Sequence, residues 1–304
     1  MSGRQWLQDF VPEDFETLRE LGTNAFAYTT FGSMPDPTEP VIRCRPPGEQ
    51  ERAAIRSAHA AGLSVMLKPH LWIDQSWHGA VRMDSAEAWA TFFRVYGEFL
   101  GAWARFAAEE RVAALCIGTE LEQSVRHAAE WRRLILEVRA MFPGCLLYAA
   151  HWSGVEDVPF WDALDAIGVN AYYPLDVSPA AELPELLTAW RPFRDELQTL
   201  ARKHGRPIVF TEVGYRPLVG SLSQPWRHDG GGEIDPGIQA RAYRAVLESF
   251  EGKDWFGGMF FWEWFPAAHM RWDRSRSNYS PQGKLAEQVL RESWSRSVVP
   301  GDGH

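Results

Sequence analysis

The chain lacks most of the features that would place it outside ordinary enzymes. It carries only three cysteines, Cys44, Cys116 and Cys145, and no CxxC pair, so neither a disulfide framework nor a zinc ribbon is encoded. Cys116 and Cys145 lie inside apolar runs and are expected to be buried free thiols. Positive charge is also short: 31 Lys and Arg against 40 Asp and Glu give a net charge of −9, which excludes the basic surface that a nucleic-acid partner needs. No run of about 18 apolar residues exists, so no membrane span is expected. No Lys/Arg cluster followed by an apolar run opens the sequence, and a cytoplasmic location is the expectation. Linker-like Ser/Pro/Gly tracts are missing as well, so residues 1–304 read as one domain, with Gly230–Gly232 as its most flexible-looking segment.

What the chain has in excess is tryptophan, 15 in 304 residues. An indole offers a flat apolar face and a single N–H donor. Sugars present apolar C–H faces with a polar rim, so part of this excess suits a carbohydrate site, the rest filling the core.

Short apolar runs alternate with longer amphipathic stretches. The strand-like runs are Asn24–Tyr28, Ser64–Pro69, Ala113–Thr119, Cys145–Ala150, Ala166–Ala171, Pro207–Thr211 and Gly257–Trp262. Most show no strict alternation, as expected where helices cover a parallel sheet. Helices are predicted at Glu13–Leu21, Glu49–Ala61, Ser85–Glu109, Ala128–Met141, Pro184–His204, Pro236–Phe250 and Gln282–Ser295. Gly22 and Gly62 stand where a terminating C′ glycine belongs, and Ser85 where an N-cap belongs. This α/β alternation predicts a (β/α)8 TIM barrel. Seven strands are visible where eight are needed, so the first is short, atypical or missing, with residues near Arg4–Phe10 as its possible replacement. A doubly wound sheet is the alternative, but no glycine-rich phosphate loop follows the first visible strand.

Parallel barrels carry their chemistry at the C-terminal strand ends. Here those ends read His70 and Trp72, Glu120, His151 and Trp152, Asn170 and Tyr172, Glu212, and Trp262 with Glu263. Two carboxylates on opposite sides of a glycosidic bond suffice to hydrolyse it: one donates a proton to the leaving oxygen and the other attacks the anomeric carbon, with the pair about 5–5.5 Å apart when configuration is retained. Glu120 is the expected acid/base and Glu212 the expected nucleophile. His70, Trp72, Trp77, Trp152, Asn170, Tyr172, Tyr215 and Trp262 are the candidate substrate-binding residues: indoles as sugar platforms, His70, Asn170 and Tyr172 as hydroxyl partners. Tyr215 either hydrogen-bonds the nucleophile or caps its loop. Glu263 is the spare carboxylate, expected to point away from Trp262, and Glu122 is expected on a solvated helix. Arg271–Arg276 reads as a run of solvated loop charges. Neither a metal nor a cofactor is required by this chemistry.

The segments CIGTEL (Cys116–Leu121), FTEVGY (Phe210–Tyr215), LKPHLW (Leu67–Trp72), IGVNAY (Ile167–Tyr172) and FFWEW (Phe260–Trp264) resemble glycoside hydrolase family 113, over about Glu13 to Trp264. The resemblance implies a retaining barrel glycosidase with its catalytic acids on the fourth and seventh strands. Matched residue by residue, it gives Glu120 as acid/base and Glu212 as nucleophile, with β-1,4-mannosides or manno-oligosaccharides as substrate. The chain departs from the expected pattern in its first strand, at His151, where Asn is expected, and at Glu263, where Lys is expected. Two other functions would use the same scaffold: a barrel that binds carbohydrate without cleaving it, and an intracellular transglycosylase.

Overall fold

A computed structural model describes residues 9–74, 76–229, 231–270 and 276–296. Seven strands form one sheet in sequential order, every neighbouring pair parallel: β1 Ala25–Met34, β2 Ser64–Ile73, β3 Ala114–Thr119, β4 Cys145–His151, β5 Ala166–Asn170, β6 Ile208–Val213 and β7 Phe256–Phe261. Each overlaps a predicted run, but β1 and β2 continue past the expected ends at Tyr28 and Pro69, so His70 and Trp72 lie within β2 rather than after it. The sheet curls until β1 and β7 approach within 8 Å between Cα atoms, without pairing. It is a TIM barrel whose first strand is missing among the described residues, and the segment Arg4–Gln8 lies outside them.

Helices pack outside this curl: α1 Pro12–Glu20, α2 Glu49–Ala60, α3 Ala86–Glu109, α4 Ala128–Met141, α5 Leu183–His204, α6 Pro236–Phe250, the short α7 Ala267–Met270, and α8 Leu285–Arg296. Gly22 and Gly62 follow α1 and α2 with φ of 98° and 78°, a conformation that costs glycine nothing and other residues strain. The Ser85 hydroxyl accepts a 3.1 Å bond from Ala88 N–H and caps α3. No described helix is long and apolar enough to cross a membrane. Cys44, Cys116 and Cys145 are all free; Cys116 is buried, Cys145 only half-buried and Cys44 exposed.

The side chains divide by strand parity, because successive residues face opposite sides of a sheet. Leu67, Leu115, Ile117, Leu146, Tyr148, Ile167 and Val169 join the shell between strands and helices. Met66, Cys116, Leu147, Ala149 and Ala166 pack inside the curl. The inner parity continues upward into polar residues: Met66 leads to Lys68 and His70, and Ala166 leads through Gly168 to Asn170. The barrel therefore carries an apolar floor and a polar mouth.

Gly168 shows how tight the inner layer is. A Cβ there would stand 2.4 Å from the Tyr148 carbonyl oxygen, which is backbone and cannot rotate away. Gly168→Ala is expected to destabilise the fold by about 1–3 kcal/mol through overpacking, read as a lower urea midpoint. An unchanged midpoint would show that β4 and β5 are not packed as closely as described.

Candidate active site

Glu120 follows β3 directly. The β3–β4 register slips between Cys116 and Thr119, and Glu120 itself has φ of +50°, in the left-handed region that non-glycine residues enter at a cost. Its amide still donates to Ala149 O at 2.8 Å, so the backbone turns while remaining held by β4. The next residue is pinned too, since Leu121 N–H donates to the Tyr148 hydroxyl at 2.8 Å. Such conformations persist where neighbours impose them and concentrate at functional sites. The result is a carboxylate aimed into the mouth beside β5.

Glu212 lies in β6, opposite Asn170 of β5, where the register is again irregular. Lys68 donates to Glu212 Oε1, and the Tyr172 hydroxyl donates to Glu212 Oε2 at 2.9 Å. Lys68 also donates to Asn170 Oδ1 at 3.1 Å, and Thr211 Oγ1 donates to the same oxygen at 2.9 Å. With its oxygen so occupied, Asn170 turns its amide nitrogen to Glu120, donating to Oε1 at 2.8 Å. The Trp77 indole N–H donates to the other oxygen of Glu120, Oε2, at 2.6 Å. Asn170 and Lys68 together thus link the two carboxylates, the amide bonding Glu120 and the lysine bonding both Asn170 and Glu212.

Burial alone would push the Glu212 carboxyl up, but the Lys68 ammonium outweighs it and holds the group well below the usual carboxylate range. Glu212 is therefore charged at neutral pH. His70 is displaced the other way, down to about 3, chiefly by burial and partly by the Lys68 charge. It is a neutral imidazole 3.6 Å from Glu212 Oε1, too far for a hydrogen bond, and both its ring nitrogens lack partners among the described residues. A buried ring with one free donor and one free acceptor suits a ligand hydroxyl. His228, in the loop after β6, also lies near both carboxylates; burial lowers its pKa and the two acids oppose that shift.

A depression of about 1250 Å³ runs from this mouth down the open seam between β1 and β7. Only its upper end, lined by Lys68, Trp72, Trp77, Glu212, His228 and Trp262, belongs to the site. Of the predicted residues, the structure brings together Glu120, Glu212, His70, Trp77, Asn170 and Tyr172, with Trp72 and Trp262 on the wall. Trp152 stands apart, packed on Tyr173 and stacked on Trp226 with ring centroids 5.7 Å apart. Tyr215 is fully buried, and its hydroxyl reaches no partner among the described residues, Glu212 included; only its carbonyl is used, by Gln239 at 2.9 Å. Glu122 sits in a short 3₁₀ turn rather than a long helix, half-buried and 3.4 Å from His151. β7 ends at Phe261, so strand alternation does not govern Trp262 and Glu263, which are joined by a cis peptide. Of the run Arg271–Arg276, only Arg276 is among the described residues, and Gly230 of the glycine run also lies outside them. The described residues hold no group of three His, Cys, Asp or Glu side chains able to bind a metal ion.

Sequence reasoning missed Lys68, Thr211 and His228. The signal for Lys68 was present: a cation inside an apolar strand, two residues before His70 and so on its face. The Gly214 of FTEVGY has a steric reason, because a Cβ there would lie 2.6 Å from the Trp262 carbonyl oxygen.

Lys68 is 1% exposed and faces a buried carboxylate. Removing one member of a buried pair costs about 3–5 kcal/mol, so Lys68→Met should lower the unfolding free energy by roughly that much at pH 7. The sign with pH is fixed. The depressed folded pKa of Glu212 makes its stabilisation fully present above the unfolded value, about 4.3, and lost as pH falls through the folded value. The wild-type advantage over Lys68→Met should therefore shrink below about pH 4, measured by denaturant titration across pH. A constant difference down to pH 2 would contradict the pairing.

The sequence profile of Glycoside Hydrolase Family 113 matches residues 4–284. Among solved structures, the chain superposes on the family 113 β-mannanase AaManA from Alicyclobacillus acidocaldarius, in complex with ManMIm, with TM-score 0.83 and 29% identity, covering 94% of this chain and 91% of the other. A second family 113 β-1,4-mannanase, described as a complex, gives TM-score 0.83 at 22% identity over 97% and 96% of the two chains, a likeness of fold. A β-glucuronidase from Faecalibacterium prausnitzii gives TM-score 0.62 at 16% identity, with 46% of its longer chain covered. A search of curated proteins found no match. The chain belongs to Glycoside Hydrolase Family 113 and is a glycosidase.

Proposed function

We propose that the chain hydrolyses β-1,4-mannosidic linkages with retention of configuration, Glu212 acting as nucleophile and Glu120 as acid/base. The observation that carries this reading is the link through Asn170 and Lys68, which ties a charged, lysine-paired Glu212 and a left-handed Glu120 into one network at the strand mouth. Mannosides are favoured because the family 113 structures similar to this chain are described as β-mannanases.

In the first step a Glu212 oxygen attacks the anomeric carbon as the bond to the leaving oxygen breaks. Glu120 gives that oxygen its proton, and a glycosyl ester remains on Glu212. In the second step water attacks the same carbon, Glu120 takes the water proton, and Glu212 departs with the bonding electron pair. Two inversions give net retention. Lys68 and Tyr172 hold one oxygen each of Glu212, so the nucleophile is oriented before substrate arrives. As the ester forms, the carboxylate charge that Lys68 faces disappears; the same ammonium then favours its return in the second step. His70, neutral and unpartnered, is placed to hydrogen-bond a sugar hydroxyl beside Glu212.

Glu212→Ala is expected to lower turnover of an activated aryl β-mannoside by about 10⁴-fold or more, and added azide should restore part of it while yielding the α-configured glycosyl azide. Full activity in that variant would end the proposal. Because carboxylates carry both proton transfer and attack, hydrolysis should survive EDTA; loss reversed by added metal would contradict the scheme.

A further inference from the structure

Trp77 does two things at once. Its N–H donates to Glu120 Oε2 at 2.6 Å, and its side chain is 41% exposed. The loop holding it is anchored from both sides: Ala80 N–H donates to the Trp77 carbonyl at 2.9 Å, and a ring nitrogen of His78 lies 3.0 Å from the Leu71 carbonyl. Its ring edge meets the His151 ring at 5.4 Å between centroids. Beneath it is Gly79, and the fit there is exact to an atom: a Cβ on Gly79 would lie 2.3 Å from two indole carbons. The indole can lie as it does only because residue 79 has no side chain.

We propose that Trp77 is a positioning residue for proton transfer, its N–H fixing the carboxyl of Glu120 while its exposed face receives the leaving-group sugar, with Gly79 as the bare seat that sets its height. This rests on the assignment of Glu120 as acid/base. The proton reaches the leaving oxygen only if the Glu120 carboxyl is rotated toward it. Asn170 holds the inner oxygen, Oε1, and Trp77 the outer one, Oε2; together they fix the plane of the group. An indole face beside that outer oxygen lies where the departing pyranose must sit, and presents it an apolar surface to stack on.

The decisive property is dependence on the leaving group. A dinitrophenolate departs without protonation, whereas a sugar alkoxide does not. Two variants separate the parts: Trp77→Phe keeps an aromatic face and loses the N–H, and Gly79→Ala keeps the indole and displaces it. In Trp77→Phe, kcat/KM on a manno-oligosaccharide should fall about 10²-fold, the lower range for general acid catalysis, while kcat/KM on dinitrophenyl β-mannoside, which reports only the first step, changes less than threefold. Gly79→Ala should reproduce that loss of kcat/KM on the oligosaccharide, with KM raised as the indole face is displaced, and cooperative thermal unfolding checks that the variant is folded. Equal losses on both substrates, or no loss on either, would overturn the proposal. A Gly79→Ala enzyme with wild-type oligosaccharide kinetics would remove the seat and with it the proposal. Wild-type protein inert on both substrates would sink the assignment of Glu120 and this inference together, and Glu120→Ala retaining oligosaccharide turnover would do the same.

Discussion

The structure turns on a lysine in a place where lysines are rare. Lys68 is buried in the second strand and is held there by Glu212 and by the carbonyl oxygen of Asn170. A lone buried carboxylate would take up a proton rather than stay charged; paired with Lys68, Glu212 stays ionised. That pairing fixes the orientation of Asn170, whose oxygen is taken by Lys68 and Thr211, so that only its nitrogen is left for Glu120. The charge state of Glu212 and the aim of Glu120 thus follow from a single ion pair.

The pair costs desolvation, and such pairs are poor sources of net stability. Its value lies in pre-organisation: donors are set around Glu212 before the reaction moves any charge. The surrounding strain has the same character. Glu120 holds a left-handed backbone that its neighbours impose, and register slips interrupt the parallel ladder close to Glu120 and Glu212. β1–β2 and β4–β5, by contrast, keep regular pairing, and the lower barrel has an apolar fill.

Several features were legible in the linear chain because their causes are local. Seven apolar runs and their intervening helices are set by periodicity, by Gly22 and Gly62 past helix ends and by Ser85 before one. The two glutamates stood out because each follows an apolar run at a C-terminal end. Lys68 was harder to see because its strand reads as one apolar block, and only the parity shared by Met66, Lys68 and His70 marks it as inward-facing. The Tyr215 hydroxyl does not reach Glu212 for a related reason: nearness in sequence says nothing about which side of the sheet a ring occupies once the strand has ended. Tyr215 turns into the core and Trp152 packs on Trp226.

The sequence by itself determined the alternation of strands and helices, the apolar floor, the residue types at the strand ends and the family to which they belong, because hydrophobic spacing and short motifs are properties of neighbours along the chain. Only the tertiary structure decided which of those residues meet. The links from Asn170 to Glu120, from Lys68 to Asn170 and Glu212, and from the Trp77 indole to Glu120 join positions 43 to 144 residues apart along the chain. Their geometry depends on strand register and curl, and those emerge only when the whole sheet closes around its core.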